Sequence, residues 1–353
     1  MAANITYHEQ TDMDNIRKLR EVLKTLPAFA KDYFRAIEPT TSTKTRISYA
    51  YDIRIFFQFL ISQNPSLAKI GIPNLNVSVL DQLKPIDIEE YMEYLKLYDS
   101  PNDQTTITNG ERGLKRKISS LRSFYTYYYK RQAIETNPVQ LVDMPKIHDK
   151  AIIRLDAGET AALLDYIEHC GDQLTGQRKA YYEKTKLRDL AIVTLLLGTG
   201  IRVSECVGLD VEDIDFRNNG IRLIRKGGSE MVVYFGPEVE KALKDYLESR
   251  KAISPLEGHE HALFYSTQRK RIGVQAVENL VKKYARAITT TKKITPHKLR
   301  STYGTTLYQE TGDIYLVADV LGHRDVNTTK KHYAAMDDAR RRKAATAVHL
   351  RED

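Results

Sequence analysis

Cysteine is scarce in this chain, which has only Cys170 and Cys206. Two thiols far apart build no disulfide framework, and without a Cys-x-x-Cys pair there is no zinc ligand cluster, so both are expected as buried, reduced thiols. Long apolar runs are also missing. The longest, residues 190–197, is broken by Thr194 and falls well short of the roughly 18 residues a membrane span requires. The opening MAANITYHEQTDMD lacks a basic region followed by an apolar stretch, so no secretion signal is read and the cytoplasm is expected. There is no internal repeat, no low-complexity tract, and no Asp/Glu cluster with metal-site spacing, so neither a metal nor another cofactor is expected.

What is present begins with size and charge. A length of 353 residues exceeds what one hydrophobic core usually serves, so two domains are expected. A net charge of +8 and a pI near 9.1 favour a polyanionic partner. Residues 1–40 read as a polar helical lead-in, with Leu19, Val22, Leu23 and Leu26 at helical spacing and Pro27 and Pro39 as breakers. From Thr43 an amphipathic helix starts, opened by Ser and Thr suited to capping and carrying Lys44 and Arg46 in its first turn. Another helix is expected after Pro85.

The stretch 111–131 is the most informative part of this half. Taking 100° per residue from Arg112, the residues Lys115, Arg116, Ser119, Arg122, Ser123, Thr126 and Lys130 fall within roughly 80° of it, opposite Leu114, Ile118, Leu121, Tyr125 and Tyr128. One face packs. The other is basic, without the alternating signs of an ordinary solvated helix. Lys44, Arg46, Arg112, Lys115, Arg116, Arg122 and Lys130 are therefore candidate phosphate contacts.

Asn137-Pro138 closes this region, and Pro145 and Gly158 mark an extended linker near residue 150. The expected parts are a lead-in (1–40), a first domain with the basic helix (41–145), a linker (146–155), a second domain (156–335) and a tail helix (336–353). In the second half, helices are expected at 157–170, 188–197, 238–250, 274–288, 297–310 and 314–321, with an exposed polar connection at 171–184. Strand-like runs 221–225 and 231–235 flank Lys226-Gly227-Gly228-Ser229 as a hairpin with Lys226 at its tip, and a small strand is expected at 262–265. The chain is mainly α, with a small antiparallel β-sheet in its second half.

Six residues in this half have a common chemistry. In TPHKLR, Thr295 can cap a helix and Pro296 suits its first turn, so His297 and Arg300 fall three residues apart. Arg202 in GTGIRVSE could simply pair with Glu205, and Gly322-His323 could be no more than a turn. Together with Lys226 and Tyr333 they supply what attack on a phosphodiester needs without a metal. Two arginines can neutralise the non-bridging oxygens, and histidines can add donors as charge grows. A lysine can protonate the leaving oxygen. A tyrosine hydroxyl, with a free pKa of about 10, needs neighbouring cations before it can act as a nucleophile.

The chain order Arg202, Lys226, His297, Arg300, His323, Tyr333 is that of the catalytic set of the tyrosine recombinases, which the chain resembles. KLRDLAIVTLLLGTGIRVSECVGLDVEDID resembles the start of a Xer-type catalytic domain, and 43–137 resembles the helical, SAM-like core-binding domain of that family. The resemblance implies a C-shaped clamp on double-stranded DNA at an inverted-repeat site, and an active enzyme in which Glu205 supports the site. Tyr333 would form a 3′-phosphotyrosyl link, with recombination passing through a Holliday junction without ATP or metal. It further implies a homotetramer on two sites, joined by a C-terminal tail, and serving chromosome dimer resolution or a mobile element, with an accessory or directionality factor as a possible partner; the tail's small apolar face makes Val348 and Leu350 the expected anchors, the alternative being a basic end that touches DNA through Arg340, Arg341, Arg342 and Lys343. His323 and Tyr333 stand ten positions apart, a spacing shared with many mobile-element integrases, and Ser301 occupies a position where the family often has histidine. Two other readings remain at this stage, a type IB topoisomerase that religates the same strand and a DNA-binding accessory protein that never cuts.

The missing acidic cluster makes a direct prediction. DNA cleavage should persist in excess chelator, measured as strand scission on a target duplex; complete loss that magnesium restores would contradict a metal-free mechanism.

Overall fold

In the computed structural model, described for residues 6–99, 105–148, 152–225, 229–323 and 325–326, the chain divides into two compact units, 1–150 and 151–353. Both follow from helix-period sequence, with two small antiparallel sheets. No described helix is long and apolar enough to cross a membrane.

The first unit contains α1 (Tyr7–Lys24), α2 (Ala30–Ala36), α3 (Thr43–Gln63), α4 (Pro65–Ile70), α5 (Pro85–Tyr94), the hairpin strands β1 (Leu97–Asp99) and β2 (Thr106–Thr108), α6 (Glu111–Lys130) and α7 (Pro138–Leu141). Thr6 and Glu9 close a reciprocal cap at the start of α1, as Thr and Glu at that spacing favour. The lead-in is not a separate piece. α1 lies along α3, and Leu19, Val22, Leu26, Tyr33 and Phe34 are buried in the same core as Phe56, Phe57, Phe124 and Tyr125.

That core is largely aromatic. Phe29 meets Phe57 edge-on at 6.1 Å and Tyr128 at 5.4 Å, while Tyr33 meets Phe124 at 5.1 Å, the geometry that ring quadrupoles favour. Two of its hydroxyls reach across the core, Tyr33 donating to Ser123 Oγ at 2.9 Å and Tyr128 to the Phe29 carbonyl at 2.8 Å. These bonds fasten α2 and the turn before it to α6, which is why the first 40 residues join this unit.

Several cations of the first unit are used internally. Asp52, 1% exposed, binds both Arg116 and the buried Lys117, whose Nζ lies 3.2 Å away. Arg46, with its side chain only 9% exposed, pairs with Glu38 at 3.0 Å. Arg122 donates to the carbonyls of Val139 and Val142 at 3.1 and 2.9 Å, holding α7 and the residue after it against α6. Arg46 and Arg122 were expected at phosphate; in the structure Arg46 is buried, Arg122 is half-buried, and both hold these internal partners. Arg116 keeps 47% of its side chain exposed, and Lys44, Arg112 and Lys130 are exposed while Lys115 is half-buried.

The second unit contains α8 (Ala157–His169), α9 (Gly176–Thr199), α10 (Val203–Gly208), β3 (Ile214–Asp215), β4 (Gly220–Ile224), β5 (Glu230–Tyr234), α11 (Pro237–Arg250), α12 (Val274–Ile288), α13 (Pro296–Thr311) and α14 (Ile314–Leu321). α9 is the central rod, with α11 and α13 packed on it. It begins well before the expected helix, so most of 171–184 is helical rather than a loop. The cause is Tyr182, which is buried and donates its hydroxyl to the Ile167 and Glu168 carbonyls at 3.0 and 2.7 Å, satisfying the end of α8. The sheet has the order β3-β4-β5, with Ile221 opposite Val233 and Leu223 opposite Met231. The expected strand at 262–265 is reduced to single bridges, Asp210 with Ala262 and Tyr265 with Arg271.

The buried ion cluster is testable through stability. Asp52→Asn strands the Lys117 ammonium in the core and should cost roughly 3–5 kcal/mol, whereas Asp52→Leu with Lys117→Met should recover most of it. Urea unfolding of the full chain followed by far-UV circular dichroism checks both; an Asn variant as stable as the parent would remove the cluster from the list of structural determinants.

Candidate active site

The last turn of α14 organises the site. A helix ends with unpaired carbonyls and a partial negative charge, and here three consecutive carbonyls each receive a different arginine. Val320 accepts from Arg225 Nη2 at 3.0 Å, Leu321 accepts from Arg300 Nη2, and Gly322 accepts from Arg202 Nη2 at 3.3 Å. The other end of the Arg300 guanidinium donates to the Gly200 carbonyl, so this arginine, 5% exposed, ties the end of α9 to the end of α14.

Arg202 immediately precedes α10. Glu205, three residues on, turns back to accept the Arg202 backbone N–H at 2.7 Å and Arg202 Nη1 at 2.7 Å. The carboxylate is 6% exposed and the arginine 41%, so the acid anchors while the cation still faces outward. Arg225 Nε lies 3.9 Å from the same carboxylate. Burial lowers the Arg225 pKa from its usual value, the Glu205 charge opposes that shift, and Arg202 adds to it. Beside Glu205, complete burial pushes the Cys206 thiol up to about 12, so this cysteine stays protonated and offers no competing nucleophile.

Two glycines make the close packing possible. Gly200 ends α9 at φ +64°, and a Cβ there would stand 2.3 Å from the Tyr303 ring. Gly322 ends α14 at φ +59°, and a Cβ there would stand 1.2 Å from Arg225 Nη1. The Arg225 guanidinium thus occupies the space that a side chain at 322 would take. His323 follows, half-buried, with its backbone N–H donating to the Ala318 carbonyl at 2.9 Å.

Of the expected catalytic residues, the fold brings Arg202, Glu205, Arg300 and His323 to this turn. His297 is exposed in the first turn of α13, one turn ahead of the buried Arg300. Lys226, Tyr333 and the tail at 336–353 lie outside the described residues. Among the described residues no group of three or more His, Cys, Asp or Glu is arranged to hold a metal ion. Arg225 was not anticipated, although the strand period gave a signal: Ile221 and Leu223 point inward, and an arginine two residues further must find an internal partner.

A family model described as the phage integrase family matches residues 154–340, more than half of the chain. The chain belongs to this family, the tyrosine recombinases. The tyrosine recombinase XerC of Caldanaerobacter subterraneus subsp. tengcongensis is 32% identical over 346 residues, covering 94% of this chain and 90% of the relative. The tyrosine recombinase XerS of Streptococcus equi subsp. zooepidemicus is 29% identical over 344 residues, covering 92% and 96%. Among solved structures, XerH bound to a palindromic difH substrate aligns with a TM-score of 0.64 at 19% identity, over 86% of this chain and 80% of that one. The Tn1549 transposon integrase in complex with transposon right end DNA aligns at 0.62 with 21% identity, over 90% and 98%. These two structures share the recombinase fold with this chain.

The recombinase site depends on a left-handed residue at 200, which can be tested alone. Gly200→Ala should destabilise the second unit by about 1–2 kcal/mol through backbone strain, and by more where the Tyr303 ring cannot move. Urea titration against the parent chain measures it; an unchanged midpoint would show that the turn tolerates a side chain.

Proposed function

We propose that this tyrosine recombinase cuts and rejoins double-stranded DNA at a specific site through a covalent link between a 3′-phosphate and Tyr333. The observation that carries the reading is the convergence of Arg202 and Arg300 beside the turn that leads into His323, with Glu205 paired to Arg202 and close to Arg225. Cations thus outnumber carboxylates in a partly closed site, an arrangement suited to a dianionic transition state.

Tyr333 gives its proton to solvent, the neighbouring cations favouring the phenolate, and its oxygen attacks phosphorus while the bond to the 5′-oxygen breaks. Lys226, next to Arg225 in the chain, protonates that oxygen so that it leaves as a hydroxyl. Arg202, Arg300, His297 and His323 hold the non-bridging oxygens as charge builds on them. Because the phosphate ester is exchanged rather than hydrolysed, the 5′-hydroxyl of a partner strand reverses the step and releases Tyr333. No nucleotide need be consumed.

Two such exchanges pass through a Holliday junction, and four copies on two inverted-repeat sites supply the four tyrosines. The tail at 336–353 would join neighbouring copies. Similarity to XerC and XerS along nearly the whole chain supports chromosome dimer resolution, and the ten positions between His323 and Tyr333 keep mobile-element transfer beside it. Action on DNA fits the cytoplasm expected from the sequence. In the first unit, exposed Lys44, Arg112, Arg116 and Lys130 with half-buried Lys115 are the cations proposed to contact phosphate, and their contribution should weaken with salt.

Tyr333→Phe removes one hydroxyl and no charge. It should abolish the covalent adduct on a nicked target duplex while leaving affinity for that duplex nearly unchanged, read by denaturing gel and gel shift respectively. A full-strength adduct from the Phe variant would move the nucleophile to another tyrosine.

A further inference from the structure

The Arg225 guanidinium is more enclosed than Arg202, with 9% of its side chain exposed against 41%, yet its Nε is buried without a hydrogen-bond partner. Its Nη2 is used by the Val320 carbonyl, and its plane lies against Gly322, whose missing side chain makes the room. The unused Nε is the atom that stands 3.9 Å from Glu205. Glu205, for its part, is nearly inaccessible and gives Oε1 to Arg202.

This arrangement poses a problem that Arg225 can solve. If Arg202 turns Nη1 to a phosphate, its hold on Glu205 loosens, and a buried carboxylate left without a cation is costly. A second cation already lies beside the same oxygen. It is fixed by a helix carbonyl, with one donor unspent.

We propose that Arg225 is a positioning residue for strand cleavage, taking over the Glu205 carboxylate through Nε when Arg202 turns to the scissile phosphate. It touches no reacting atom and acts through Glu205 and Arg202. The proposal rests on the reading of Arg202 as a phosphate-neutralising residue.

The test uses the full chain and nicked target duplexes, one with a normal scissile phosphate and one with a methylphosphonate there, which lacks the non-bridging negative charge. Arg202→Ala should lose cleavage on phosphate and recover on methylphosphonate, because the charge it neutralises is gone. Arg225→Met should lower adduct formation on phosphate roughly a hundredfold, the scale of a catalytic group misplaced by about 1 Å, with unchanged gel-shift affinity and far-UV dichroism. It too should recover on methylphosphonate. The double variant should be no slower than Arg202→Ala alone, since the two residues act along one path. Arg225→Lys keeps the charge but reaches only one of the two partners, so it should fall between parent and Met variant, and it carries the same comparison if the Met variant does not fold.

Additive losses in the double variant, or equal losses of the Arg225 variants on both substrates, would overturn the proposal and leave Arg225 as a packing residue. If Arg202→Ala itself fails to recover on methylphosphonate, the reading of Arg202 is wrong and the proposal falls with it. The two failures are therefore distinguishable in one experiment.

Discussion

Arginine binding to the end of a helix is the interaction on which the second unit depends. Val320, Leu321 and Gly322 would otherwise leave three carbonyls unpaired at the negative end of α14, and each receives a guanidinium from a different part of the chain: Arg225 from the end of β4, Arg300 from α13 and Arg202 from the start of α10. Three distant segments are thereby set against one turn. The same bonds that terminate the helix gather the positive charge that phosphate chemistry requires, so fold and site cannot be separated here.

Much of this was legible from the residues, for reasons that can be named. Helices α8, α11, α12, α13 and α14 stand where apolar period and caps put them, because each buries one face and shows the other. The β4–β5 pair follows from alternation around a glycine-rich turn. Belonging to the tyrosine recombinases was readable from the order of six polar residues, none of them telling alone.

What escaped the sequence was tertiary. Nothing local in GQRKAYYEKTK tells a solvated loop from a helix held by a single buried ring, and Tyr182 decides that only through the carbonyls at the end of α8. The first 40 residues carry their apolar positions in short runs broken by Pro27 and Pro39, and their place in the core depends on α3 and α6, far along the chain. Angular arithmetic on α6 placed Arg122 on the basic face, but it could not show that carbonyls near α7 lie within reach. Arg46 was likewise read by residue type, and its burial beside Glu38 is set by packing.

One consequence follows from the kind of partner these arginines have. Arg300 spends its described hydrogen bonds on main-chain oxygens, at Gly200 and Leu321, and Arg225 spends its own on Val320. An amide oxygen neither gains nor loses a proton in the range where cells live, and a guanidinium hardly does so either. These two fixtures therefore keep their charge across wide swings of acidity. The scaffold is built as a permanent cationic mould rather than one that must be switched on.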